Sequence, residues 1–210
     1  MAGMNMRKAP GRPIEVDPES IALIATQLFD DRGVEAVTMT EIADAAGVSR
    51  RTLFRWFPTK ALLVWGGTVE AAERFERGWV TARESHSVLT HGAEGNTPSL
   101  INLAREAYAA SISPLGETSD ITRLRLKLID RHPEVFAAGH ELRMQLSHHL
   151  SKHLADELNL PNDSLRVTTL AAAITSVSHS ALAWWARTDD QRPPAEVLDE
   201  ALRGLASLFD

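Results

Sequence analysis

The chain has 210 residues, 44% apolar and 24% charged, with a formal net charge of -6 and no cysteine. Its length admits one large domain or two small ones, and its composition is that of a folded, soluble protein rather than a disordered one. Lack of cysteine excludes a disulfide framework, a thiolate zinc site and a thiol nucleophile, and suits a reducing cytoplasm, where the protein is expected to act.

The first residues, MAGMNMRKAPGRP, are basic but lack the apolar run of a secretory signal, so no export is expected. Residues 1–60 hold 8 Lys/Arg and 8 Asp/Glu, whereas residues 61–210 hold 14 and 20, so the acidic excess lies entirely in the second part. Two clusters near the N-terminus are free of acid: Arg7, Lys8 and Arg12, and then Arg50, Arg51, Arg55 and Lys60. Local basic patches on an otherwise neutral module are the footprint of nucleic-acid contact.

Apolar residues recur at helical rather than alternating spacing, which predicts an all-α protein. A first helix starts near Asp17-Pro18 and ends by Gly33, with Ile21, Ile24, Ala25, Leu28 and Phe29 as its apolar stripe. Thr38 followed by Glu41 forms a capping box that opens a short helix, carrying Ile42, Ala43 and Ala46 inward and stopped by Gly47. Ser49 caps another short helix, which Pro58 ends. Two short helices joined by a tight turn containing glycine are the sequence form of a helix-turn-helix.

By angle, Leu53, Phe57, Arg50 and Phe54 cluster on one side of the second short helix, with Arg51, Arg55 and Thr52 on the other and Trp56 at the margin. Leu53 and Phe57 are read as the packing face. Arg51 and Arg55 lie one turn apart and can enter one major groove, where arginine pairs bidentately with guanine. Arg50 is placed to reach a base edge or phosphate, and Ser49 favours phosphate. The alternative is a merely solvated basic surface, which leaves the two-helix geometry and the basic arm unexplained.

These residues resemble the TetR family of bacterial repressors. TMTEIADAAGVSRRTLFRWFPTKALL follows that family's helix-turn-helix pattern, together with the preceding GVEAVT and the arm-like GRP at Gly11 to Pro13. The resemblance is specific over about residues 10–65. It implies phosphate contacts from Thr40, Ser49 and Lys60, base reading by Arg50, Arg51 and Thr52, and a minor-groove or backbone contact from Arg12. Phe54 stands where a tyrosine is usual, so a possible phosphate hydrogen bond is lost; it is kept among the candidate DNA contacts, with packing alone as the alternative. Arg55 and Trp56, also candidate DNA contacts, occupy positions where aromatics or histidine are common, and a charged Arg55 could raise affinity and change the preferred site.

Thr59 is read as the cap of a helix of about 20 residues, with Leu62, Trp65, Val69, Ala72, Phe75 and Trp79 on one stripe and Gly66-Gly67 inside it. Residues 85–99 read as a loop. Further helices are expected at about 99–112, 117–131, 133–159, 163–188 and 194–209. The organisation is therefore a basic arm (1–13), a helix-turn-helix domain (14–60) and a ligand-binding and dimerisation domain (61–210).

Residues 167–186 carry no charge, yet seven of them are Ser, Thr or His, too polar for a membrane span. A helix without a charged face is covered on both sides. Leu170, Ile174, Val177, Ala181 and Trp184 are assigned to its own domain. Ala172, Thr175, Ser176 and His179, with Leu198, Leu202, Leu205 and Leu208 of the last helix, are assigned to a twofold homodimer, which the resemblance also implies.

His140, His148, His149 and His153 fall on one helix, and His149 and His153 have the spacing of a metal pair. The glutamate of HExxH is missing and no third ligand is apparent, so neither metal nor cofactor is assigned. The two are core histidines or cavity-lining ones. Trp65, Tyr108, Met144, His149, His153 and Trp184 are the candidates for a cavity that admits an aromatic or acyl compound. No catalytic constellation emerges, so no enzyme is expected. The reading is a ligand-responsive regulator that binds a palindromic operator in double-stranded DNA as a homodimer. Its rivals are a DNA-bound scaffold or activator whose C-terminal domain binds only protein, and a metal-dependent enzyme built on the histidine helix.

Overall fold

The computed structural model describes residues 17–89, 97–112 and 119–207, and every regular element among them is a helix. In chain order these are α1 (Pro18–Arg32), α2 (Met39–Ala45), α3 (Arg50–Trp56), α4 (Lys60–Val64), α5 (Thr68–Leu89), α6 (Thr97–Ile112), α7 (Ser119–Arg131), α8 (Pro133–Ala138), α9 (His140–Leu158), α10 (Leu165–Arg187) and α11 (Pro194–Ala206). Arg12 and Leu208 lie outside the described residues. Among those residues no helix is long and apolar enough to cross a membrane.

The early boundaries follow from local chemistry. Asp17 has the extended backbone of an N-cap and Pro18 opens α1, although the Asp17 side chain makes no capping bond. At α2 the capping box is complete: Glu41 N–H donates to Thr38 Oγ1 at 3.2 Å, and Thr38 N–H donates to Glu41 Oε2 at 2.8 Å. The Thr38 N–H, the Arg32 guanidinium 2.8 Å from Oε1 and the Thr38 hydroxyl hold the Glu41 carboxyl down at about 2. Ser49 accepts from Thr52 N–H at 3.0 Å and Thr59 from Leu62 N–H at 3.3 Å, which fixes the starts of α3 and α4.

Two glycine sites divide helices that the sequence reading runs together. The helix begun at Thr59 stops at Val64 and resumes as α5. Ala22 occupies the space that a Gly66 side chain would need, and Gly67 takes φ +81° beside the Glu19 carboxylate. Tertiary contact with α1 thus breaks a segment whose spacing is helical. Likewise the expected 133–159 helix divides at Gly139, whose Cα abuts the Trp65 indole. Trp65 Nε1–H donates to the Val135 carbonyl at 2.7 Å, locking α4 onto α8. Both ends of the expected loop 85–99 are helical, since α5 runs through Leu89 and α6 starts at Thr97; residues 90–96 lie outside the described residues.

Two apolar clusters organise the chain. One joins Ile21, Phe29, Val37, Ile42, Leu53 and Leu63 of the N-terminal helices, and takes in Leu128, Ile129 and Val135 from α7 and α8. The second joins α5, α6, α9, α10 and α11 around Trp79, Ile101, Leu150, Ile174 and Leu202. Arg125 of α7 ties the first cluster down through Glu19 of α1 at 2.9 Å. The helix-turn-helix therefore rests on the C-terminal helices through α4, α7 and α8.

One expected inward residue is corrected. Trp184 was assigned to its own domain but is 44% exposed, while its neighbour Trp185 is 1% exposed. Trp185 Nε1–H donates to the Arg192 carbonyl at 2.9 Å, and the Arg123 guanidinium lies 3.9 Å from its ring centroid. One residue along a helix is about 100° of rotation, enough to exchange the core for the surface.

Candidate nucleic-acid interface

Helix α3 is fastened by Leu53, fully buried, and by Phe57 at its C-terminal boundary, with Trp56 half-buried on the same cluster. Burying a leucine is worth about 1.5–3 kcal/mol, so Leu53 alone gives this seven-residue helix a rigid seat. The residues left exposed are Arg50, Arg51, Phe54 and Arg55. At about 100° per residue they fall, in the order Arg50, Phe54, Arg51, Arg55, across one arc of roughly 140°. Phe54, a candidate DNA contact, is thus on the outward arc rather than in the core, whereas Trp56, the other aromatic candidate, is half-buried against the core.

Arg32 is held by Glu41, but among the described residues no carboxylate pairs with Arg50, Arg51 or Arg55. Two of them lie over rings: the Arg50 guanidinium is 5.9 Å from the Phe54 centroid, and that of Arg55 is 5.2 Å from Trp56. Three unpaired guanidinium groups on a supported helix present donors that suit phosphate and guanine. Thr40 is exposed in the first turn of α2, and Ser49 is exposed at the N-cap of α3. Thr52 is half-buried, its Oγ1 2.9 Å from Ser49 Oγ. Lys60 Nζ donates to the Val34 carbonyl at 2.8 Å, bracing the segment before α2.

A second feature adjoins the C-terminal end of α3. A largely apolar cleft of about 650 Å³ runs between α3, α4, α5 and α9, walled by Trp56, Phe57, Leu62, Trp65, Val69 and Leu142, with Glu19, Arg55, Glu70 and Glu141 also in its lining. A cleft of similar volume between α1 and α7 is polar, lined by Arg32, Arg123, Lys127 and Arg131 among others. Apolar walls with few polar groups are what small-molecule sites require, which favours the first.

The remaining candidates do not converge on one cavity. Trp65 lines the apolar cleft, and His149 lines a small recess of about 190 Å³ further along α5 and α9. His149 Nδ1 and His153 Nε2 share the carboxylate of Glu76, at 2.8 and 2.7 Å. Burial pushes the Glu76 carboxyl up, but the hydrogen bonds of His149 and His153 prevail and hold it below its ordinary value. His153 also stacks on Trp79, with centroids 4.8 Å apart. Neither of the two open readings describes this pair fully, because a glutamate 73 residues away joins them. Among the described residues no group of three or more side chains could hold a metal ion. Tyr108 sits in the second core, its ring centroid 4.8 Å from that of Phe75, and burial raises its hydroxyl above the ordinary value. Met144 is 54% exposed.

On the expected dimer face, Ala172 and Ser176 are exposed, Thr175 and His179 are half-buried, and Leu205 packs against the second core. Leu198 and Leu202 are buried within their own chain at 1% and 0% exposure, a correction to their place on a pairing surface. The side of α11 assigned to a partner is used to cover α6 and α10 instead. What α10 leaves uncovered is a stripe of Leu165, Thr169, Ala172, Ser176, Ser180 and Trp184, stepping by three and four along the helix.

A capped short helix, a tight turn through Gly47 at φ +66° and a second helix with an outward basic arc define a helix-turn-helix DNA-binding protein. Residues 24–64 match the bacterial regulatory proteins of the tetR family, and residues 99–210, more than half of the chain, match the MftR C-terminal domain. The chain belongs to the TetR family of transcriptional regulators, with a C-terminal domain of the MftR type; it is a regulator, not an enzyme. It is 27% identical over 183 residues to MftR of Mycobacterium tuberculosis strain H37Rv, whose name assigns that protein to the regulation of mycofactocin biosynthesis, with 85% of this chain and 84% of that one covered. Its fold is similar to that of Thermus thermophilus FadR, a TetR family repressor solved with lauroyl-CoA, at a TM-score of 0.52 and 23% identity over 90% of this chain and 93% of that one. A TetR-family regulator from Streptomyces coelicolor gives a TM-score of 0.52 and 18% identity over 91% and 82%.

Proposed function

We propose that this regulator is a repressor that binds a palindromic operator as a homodimer through α3, and that an apolar or amphipathic ligand releases it. The observation that carries the reading is the arc of unpaired guanidinium groups on a helix whose opposite side is anchored in the core. Arg51 and Arg55 lie in the major groove, with Arg50 and Thr52 completing the base contacts. Thr40, Ser49 and Lys60 take phosphates, and Arg12 reaches the minor groove or backbone. Two copies pair along the uncovered stripe of α10, whose small residues permit close helix approach. Their recognition helices then stand about 34–36 Å apart, one turn of DNA.

The ligand, an aromatic or acyl compound, enters the cleft walled by Trp56 and Trp65. That cleft touches the end of α3 and the start of α5 together, so filling it moves the recognition helix against its support. To release DNA, the ligand must bind the DNA-incompetent arrangement more tightly, by typically about 1–3 kcal/mol of coupling. The protein acts in the cytoplasm, where its operator is.

Fluorescence anisotropy tests the reading, using the upstream DNA of its own gene against a scrambled duplex at two salt concentrations. Nanomolar binding that prefers the upstream duplex and weakens with salt is expected. Equal, weak binding to both duplexes refutes an operator there, and no binding at low salt refutes the DNA-binding role of α3.

A further inference from the structure

Phe54 is 40% exposed on the basic arc and lies outside the buried cluster that seats α3. Leu53, Phe57 and Trp56 already seat the helix. Among Arg50, Arg51 and Arg55 it is the one exposed apolar side chain of the arc, and the exposed part of its ring stays in water in the free protein. The ring has no hydroxyl, so it can neither donate to a phosphate nor hydrogen-bond a base edge. Its direction is fixed, between Arg50 and Arg51 on the side of the helix that faces outward. The Arg50 guanidinium, 5.9 Å from the ring centroid, braces it from one side.

Base edges in the major groove offer hydrogen-bond donors and acceptors, and one apolar group: the C5-methyl of thymine. We propose that Phe54 is a specificity-determining residue that reads a pyrimidine 5-methyl group in each half-site, placed between the contacts of Arg50 and Arg51. In unmethylated DNA that group belongs to thymine; 5-methylcytosine carries the same methyl on the same ring atom. The ring covers the methyl, both leave water, and the hydrogen-bonding arginines on either side fix the register. A purely polar residue at this position would leave the methyl unread. This proposal rests on the operator reading given above, and adds the base chemistry that α3 selects.

The test begins with the full-length protein and a pool of randomised duplexes, from which the preferred operator is recovered. Each thymine of one half-site is then replaced singly by 2′-deoxyuridine, which removes only the methyl, and affinity is measured by anisotropy. One position is expected to lose about fourfold, the size that follows from returning one methyl group to water, and substitution in both half-sites about 16-fold if the two act independently. The Phe54→Ser protein, checked for retained helicity, is expected to bind the thymine and deoxyuridine duplexes alike at that position. Phe54→Tyr, which keeps the ring, retains the difference. Replacing the same pair by C·G and by 5-methyl-C·G separates the two methyl sources. A methylated pair that binds as well as thymine means any 5-methylpyrimidine is accepted, and a weaker one restricts the reading to thymine. The proposal is overturned if no deoxyuridine substitution changes parent binding by more than about 1.5-fold, well below that methyl increment, or if parent and Phe54→Ser lose equally at the same position. A selection that enriches no sequence overturns the operator reading itself, and this proposal with it.

Discussion

Substituting Gly139 by alanine tests the junction that joins the DNA-binding helices to the rest of the chain. Gly139 has φ -83° and ψ 4°, a backbone that alanine adopts without strain. With open space beside it, alanine would stabilise the protein by about 0.4–1 kcal/mol through the unfolded state. The space is taken, however, because a Cβ there would fall within the Trp65 indole. The indole cannot swing away freely: its N–H is committed to the Val135 carbonyl at 2.7 Å, and the Arg143 guanidinium lies 5.4 Å from its ring. Forcing an extra carbon into a packed site costs about 1–3 kcal/mol, so the clash exceeds the entropic gain and a net loss of about 1–2 kcal/mol is expected. In a Trp65→Ala background the obstacle is gone, and the same Gly139→Ala change should become neutral or stabilising. Urea unfolding followed by helical circular dichroism, at one fixed protein concentration, reads both values. A parent protein made more stable by Gly139→Ala, or an equal loss in both backgrounds, would refute the close approach of Trp65 to Gly139.

Arg51→Ala should weaken operator binding by about 1–3 kcal/mol and relax selectivity at one base position, measured by anisotropy over single-base variants; an unchanged preference removes Arg51 from base reading. The Glu41 carboxyl is held down at about 2, so its contribution to stability is fully present above its unfolded value of roughly 4.3 and is lost as pH falls toward 2. The melting temperature of Glu41→Gln should lie below the parent's at pH 5 and approach it at pH 3, and a constant gap would contradict the depressed value. Ala172→Glu, on the uncovered stripe of α10, should give a monomer by light scattering at micromolar concentration; a dimer of parent size would move the pairing surface elsewhere. Val69→Trp fills the apolar cleft from a residue 60% exposed, and so should not disturb folding. It is expected to abolish binding of the neutral probe N-phenyl-1-naphthylamine and, by occupying the cleft as a ligand would, to weaken operator binding; undiminished probe fluorescence would place that probe outside the cleft.

The sequence alone determined what depends on residues three or four apart. Thr38 with Glu41, Ser49 with Thr52 and Thr59 with Leu62 are caps whose donor and acceptor lie within one turn, so spacing is enough to find them. The basic helix, and the family resemblance it carries, were legible for the same reason. Tertiary structure decided which faces are covered. Phe54 shares a helix side with Leu53 by angle, yet only the packing of α3 on its neighbours leaves one buried and the other exposed. Gly66-Gly67 and Gly139 sit in segments of helical spacing, and it is Ala22, Glu19 and Trp65, distant in the chain, that demand residues without a side chain there. Glu76 joins His149 and His153 from 73 and 77 residues away, and Trp185 rather than Trp184 fills the core. Periodicity fixes which side chains stand together on a helix, whereas the partner that covers each face is supplied by chain folding over long separations, and no local spacing encodes it.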